Sequence, residues 1–290
     1  PATAEAQQTI LAWRPVRDML AAMDPVNFWG RAQWPMYGGP LSTYATLCLL
    51  AELGVPLTPQ IRLACENLLD HGQLPNGGFS RDHTEAGESL CLTGNAVRAL
   101  LHFGYADDPR VDHAFQRLLQ RSIAPGGLGC ACEDAAVCEW GVVKALTAFA
   151  TLPASHRSPT RTETAHTLAD VLFEHRWDFD ARDEHWLSFG FPRDYQSDLV
   201  ELCDVLVRLE LGADRRIDEL LHRLSTSATP EGRWIKHSGT RALYIEHRGE
   251  PSKWITIQAL RALQYAGRAG TQHIHRTMQW ERDMGLHETR

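Results

Sequence analysis

Lysine is scarce in this 290-residue chain: only Lys144, Lys236 and Lys253 stand among 29 basic residues, and the arginines that outnumber them form no run. With 36 acidic residues the formal charge is −7, so a nucleic acid finds no basic stretch to bind. No segment approaches the roughly 18 apolar residues of a membrane-spanning helix. The first residues, PATAEAQQTILAWRPVRDML, are amphipathic and lack the small-residue cleavage site of a secretory signal, so the expected location is the cytoplasm. Period-two alternation is nearly missing, which argues against a β-rich fold. A phosphate-binding loop is missing too: GGFS and GGLG follow no strand pattern and read as turns between helices, so no nucleotide or redox cofactor is expected. Although there are 14 histidines, none falls in an H-x-x-x-H or H-E-x-x-H string of the metalloprotease kind. Seven cysteines, an odd number spread along a long chain, do not make the framework of a small disulfide-stapled protein. Reduced thiols or metal ligands are the reading that remains.

What is present is helix. Hydrophobic residues make up 43% of the chain, enough for a large core in one domain or two small ones. Four turn signals share a shape, DPVNFWG at Pro25, LPNGGFS at Pro75, APGGLG at Pro125 and TPEGRW at Pro230, and the first three prolines are spaced by about fifty residues. Apolar helical patterns between them come in two kinds. STYATLCLLAELG (42–54) and ITIQALRALQYAG (255–267) are small or apolar nearly all round, as an inner helix is. TPQIRLACENLLDHG (58–72) instead carries Ile61, Ala64, Cys65, Leu68 and Leu69 on one face and Arg62, Glu66 and Asp70 on the other. Thr58 and Asp108 read as N-caps, each followed by a proline at the first helical position. The pattern predicts an all-α fold of repeated helical hairpins, with 42–54, 91–104, 138–151, 195–211 and 252–266 innermost, closed as a ring or open as a solenoid.

Taken together, GGFS, CLTGNAVRALLHFGY, CEWGVVKALTAFATLP, FGFPRDYQSDLVEL, GRW and PSKWITIQALRAL resemble the prenyltransferase and squalene-cyclase repeat superfamily, and within it a bacterial subgroup. The resemblance covers roughly residues 37–265. It implies an α/α toroid of five to six hairpins formed by residues 1–290 as a single domain, with 1–36 an N-terminal helix and entry segment and 268–290 a last outer helix. It further implies a central apolar cavity for a small hydrophobic substrate, in a monomer or homodimer.

In such a toroid the loops that enter the inner helices point at one end of the cavity, which nominates Tyr44, Cys91, Cys138, Tyr195, Asp198, Lys253 and Trp254. The D-x-D-D acid motif of alkene-protonating cyclases does not occur. DFDARDEHW (178–186) and YADDPRVD (105–112) come nearest, and Asp-Asp-Pro in the second is a cap. Asp198 in DYQSDLVEL is then the expected general acid, with Tyr195, Tyr44 and Lys253 as further catalytic candidates. Trp140, Trp186 and Trp254 are expected to offer aromatic faces to a substrate or to a developing cation. The thiols support a different chemistry: Cys91, Cys132 and Cys138 could hold zinc, with Cys130, Glu139, His83 or water as the fourth ligand. The resemblance implies a Cys-x5-Cys-His pattern, and here the last position is Glu139. Cys48, Cys65 and Cys203 fall on apolar faces and read as core. The HIH string at 273–275 reads as a solvated face. Three functions follow: a non-redox cyclase, isomerase or lyase; a zinc–thiolate transferase or cyclase; or a lipid or peptide binder without catalysis.

Overall fold

The computed structural model describes residues 4–26, 28–36, 42–130, 136–193, 195–239 and 245–267. Among them are eleven α-helices, short 3-10 turns and no strand, only isolated β-bridges. The helices are α1 (Ala4–Ala12), α2 (Arg14–Ala21), α3 (Thr43–Glu52), α4 (Pro59–Gly72), α5 (Leu90–His102), α6 (Pro109–Ile123), α7 (Glu139–Thr151), α8 (Pro159–Glu174), α9 (Leu199–Arg208), α10 (Asp218–Thr226) and α11 (Lys253–Tyr265). All five helices expected innermost are therefore present. The single N-terminal helix is instead two, because Pro15 opens α2 and the extended backbone of Trp13 separates it from α1. The last outer helix expected over 268–290 lies outside the described residues.

Contacts gather the chain into two compact units. The first holds the described residues up to Glu174 together with those of 192–196 and Ile245, and the second holds 175–191, 197–239 and the described residues from Glu246 onward. In the first unit α3, α5 and α7 form an inner layer covered by α4, α6 and α8. Burial separates the layers: eleven of the thirteen residues of α5 are buried, against four of the fifteen of α6. The inner helices run parallel. Cys48 Sγ meets the Asn95 carbonyl at 3.6 Å and, a turn or two further along both chains, His102 Nε2 meets the Val55 carbonyl at 2.8 Å. Between α5 and α7 the approach is closer still, since a Cβ on Gly94 would stand 2.3 Å from the Lys144 carbonyl oxygen. Only glycine permits it.

Caps and ion pairs fix the outer layer. Thr58 and Asp108 accept the first-turn amides of Ile61 and Arg110, as the sequence predicts. Arg110 then ties α6 to α4 by reaching Glu66 at 2.6 Å and Asp70 at 2.8 Å. Further on, Arg161 of α8 pairs with Asp112 of α6 and lies 4.8 Å over the Phe115 ring.

The second unit repeats the same local design with α9 and α11 buried and α10 beside them. Arg261 of α11 binds Asp204 of α9 through two nitrogens at 2.6 and 2.7 Å, and further along both a Cβ on Gly212 would stand 3.2 Å from Ala266, so these helices also run parallel. The turn repeat is explicit in the hydrogen bonds. Gly77 and Gly232, each two residues after a proline, take φ of 90° and 75° and close turns in which Leu74 N–H reaches Gly78 and Thr229 N–H reaches Arg233. Phe79 N–H then donates to Thr93 Oγ1, and Trp234 N–H donates to Thr256 Oγ1 in the same way. Ser89 and Ser252 cap the helices that follow.

Candidate functional site

In the first unit the entries to α5 and α7 lie side by side, and the polar residues collect there. Cys138 is the N-cap of α7, its sulfur accepting from Gly141 N–H at 3.4 Å, while Cys91 sits in the first turn of α5 with its sulfur 3.2 Å from Ser89 Oγ. Cys130 completes a group of three. Its side chain hydrogen-bonds that of Cys138, and both it and Cys138 lie within electrostatic reach of each other and of Cys91. Burial pushes the Cys91 thiol up, opposed by the bond from Ser89 and by the charge of Lys144, and pushes the Cys138 thiol up to about 12. Thus Cys91 and Cys138 are brought together as expected, with Cys130 beside them. Cys132 lies outside the described residues. Among the described residues no group of three His, Cys, Asp or Glu side chains is disposed to hold a metal ion. His83 stands on an exposed loop against the Trp34 ring, and Glu139 follows Cys138 in the first turn of α7.

Around the thiols are charges that the sequence pattern did not flag. Glu88, buried, takes a two-pronged contact from Arg117 at 2.9 and 2.7 Å and a bond from Asn76 at 3.2 Å, with Arg121 at 3.7 Å. A Cβ on Gly78 would come within 2.6 Å of the Glu88 carboxyl, which explains a glycine that the turn alone does not require. Lys144 is buried in the middle of α7. Tyr44 is buried in the first turn of α3. Trp140 meets Tyr195 edge to face, with centroids 6.2 Å apart and the tyrosine half exposed.

In the second unit Asp198 is the N-cap of α9. Its Oδ1 accepts from Glu201 N–H and its Oδ2 from Gly190 N–H, both at 2.9 Å, and the residue is only 3% exposed. His237, which sequence spacing gave no means of finding, lies within electrostatic reach of Asp198. Its imidazole hydrogen-bonds the Leu187 backbone and packs 5.7 Å from the Phe189 ring, and its Nδ1 is buried with no hydrogen-bond partner among the described residues. Burial and the nearby Arg248 hold this histidine below its ordinary range. Trp254 stacks on Phe191 at 5.3 Å and 12°, with Lys253 Nζ over the indole ring 5.3 Å from its centroid. Lys253 N–H and Ser252 Oγ both bind the Glu246 carboxylate. Trp186 is buried with its edge against Trp177. The nominated residues therefore divide: Tyr44, Cys91, Cys138, Trp140 and Tyr195 belong to the first unit, and Trp186, Asp198, Lys253 and Trp254 to the second.

No family model matches this chain, and no curated protein matches it either.

Proposed function

We propose that the chain is a small-molecule enzyme that moves a proton on a hydrophobic substrate without a redox cofactor, in an α/α toroid of the kind its repeat resembles. Parallel inner helices, with α3, α5, α7 and α9 each followed by an outer one, support that architecture. The observation that carries the chemistry is the pair Asp198 and His237: a buried carboxylate held by two backbone amides, and near it a histidine with a buried acceptor nitrogen left unused. Held neutral at pH 7, the imidazole accepts a proton at Nδ1, and the Asp198 charge steadies the imidazolium that forms. Imidazolium is too weak an acid to protonate an isolated alkene. Among cyclisation, isomerisation and elimination, the pair therefore favours the last two, in which a substrate proton is first removed. Asp198 serves as the electrostatic partner of the base, and the Phe191–Trp254 stack offers the apolar surface.

The test uses a panel of small isoprenoid and alicyclic enones incubated with the protein in deuterium oxide, with exchange read by mass spectrometry. Wild-type protein should introduce deuterium into at least one of them. His237→Gln should lower that rate by about 10²–10⁴, the usual worth of a general base, and Asp198→Asn should lower it by less. Exchange that survives His237→Gln unchanged would show that this histidine is not the base.

A further inference from the structure

We propose that Cys130 and Cys138 are a reversible oxidation site, a dithiol that low-molecular-weight disulfides such as oxidised glutathione convert into an intramolecular disulfide. The inference concerns the first unit and stands apart from the proton-transfer reading.

The geometry is that of a pair already in contact. Their side chains hydrogen-bond to each other, and neither cysteine is in a disulfide. The backbone holds them there from both sides. Cys138 N–H donates to the Leu128 carbonyl at 2.8 Å, and Arg121 grips the carbonyls of Gly127 and Gly129 at 2.8 and 3.0 Å. Cys130 thus follows directly on a clamped turn, and Cys138 is fixed as the cap of α7. Accessibility divides the labour between them. Cys130 is partly exposed, whereas Cys138 and Cys91 are buried. The Arg121 guanidinium lies within electrostatic reach of Cys130 and Cys91.

The order of events follows. The Cys130 thiolate attacks one sulfur of oxidised glutathione, forming a mixed disulfide and releasing one glutathione thiolate, which takes up the proton Cys130 lost. Cys138 then attacks the Cys130 sulfur of that mixed disulfide, passing its own proton to the second departing glutathione. Two protein thiols are oxidised and one glutathione disulfide is reduced to two thiols. Burial keeps the Cys138 thiol protonated until its neighbour is activated, so an external oxidant enters through Cys130.

The experiment treats the intact protein with oxidised glutathione, blocks remaining thiols with iodoacetamide and maps the peptides after cleavage at Glu133, which separates Cys130 from Cys138. The free-thiol count of the denatured protein should fall from seven to five, and the two peptides should be joined until dithiothreitol is added. Cys130→Ser and Cys138→Ser should each abolish the link, and Cys132→Ser should leave it. Serine caps a helix at least as well as cysteine, so Cys138→Ser should retain its circular dichroism and remain a valid control. A thiol count that stays at seven would overturn the proposal. So would a link to Cys132 or Cys91 in place of Cys138, or about one zinc per chain protecting these thiols from oxidation.

Discussion

Among single residues, Glu88 shows how much can rest on one carboxylate. It is buried and faces Arg117 and Arg121, whose side chains are 27% and 13% exposed, so losing its charge leaves Arg117 without its carboxylate and Arg121 with carbonyl partners alone. Removing one partner of a buried pair usually costs several kcal/mol, and the partial exposure of Arg117 reduces that figure. Glu88→Gln should therefore lower the unfolding free energy by about 2–3 kcal/mol, measured by urea titration. A loss under about 0.5 kcal/mol, typical of a surface change, would mean the arginines find water instead. Some roles at this scale were legible beforehand: Thr58 and Asp108 as caps, and Cys48, Cys65 and Cys203 as core, all three buried. Others were not. Glu88, Arg117 and Arg121 are charged residues in a predominantly polar stretch, and nothing in their spacing says that three of them meet. His237 is a lone loop histidine, which in a sequence has no mark at all.

Among elements, the pairing of α5 with α7 depends on Gly94. A helical glycine replaced by alanine ordinarily gains about 1 kcal/mol from reduced backbone entropy. Here the added Cβ would stand 2.3 Å from the Lys144 oxygen and 2.7 Å from the Ala145 nitrogen, both backbone atoms that no rotamer change can move. The helices must part, and overpacking of this kind costs about 1–3 kcal/mol or more. Gly94→Ala should thus destabilise by about 2 kcal/mol. Gly141→Ala, whose nearest neighbour would be the Leu90 Cβ at 3.2 Å, should be close to neutral. The comparison by thermal melting tests the parallel contact directly, because a looser crossing would tolerate both. Apolar patterning announced both helices within a residue or two of their ends, yet a glycine inside such a pattern gives no hint of what it faces.

At the scale of the whole molecule, stability should depend on pH through histidines held neutral. Burial pushes His102 below its ordinary range, with Arg98 adding to the effect and the bond to the Val55 carbonyl opposing it, and His237 is lowered as well. A group whose pKa is depressed on folding binds fewer protons folded than unfolded. Stability from it is complete above the unfolded histidine value of about 6.5 and declines as pH falls below that. The protein should accordingly be less stable at pH 5.5 than at pH 7.5. His102→Gln removes one such group, so the difference in melting temperature between wild type and variant should narrow on acidification. A constant difference across that range would show that His102 is not held neutral by the fold. At lower pH, Glu66, Asp108 and Asp183, each held down by hydrogen bonds or ion pairs, should contribute the next loss as they protonate.

Helix positions, caps and turns were determined by the sequence alone, because each depends on residues within about one helical turn: apolar spacing, a serine, threonine or aspartate before a first turn, a glycine after proline. Tertiary structure decided which distant residues share a neighbourhood. That Cys91 comes near Cys138, that Arg117 meets Glu88, and that His237 comes near Asp198 follow from how elements distant in sequence stack. Such stacking is settled by side-chain volume and close backbone approach across the core, which no local spacing records.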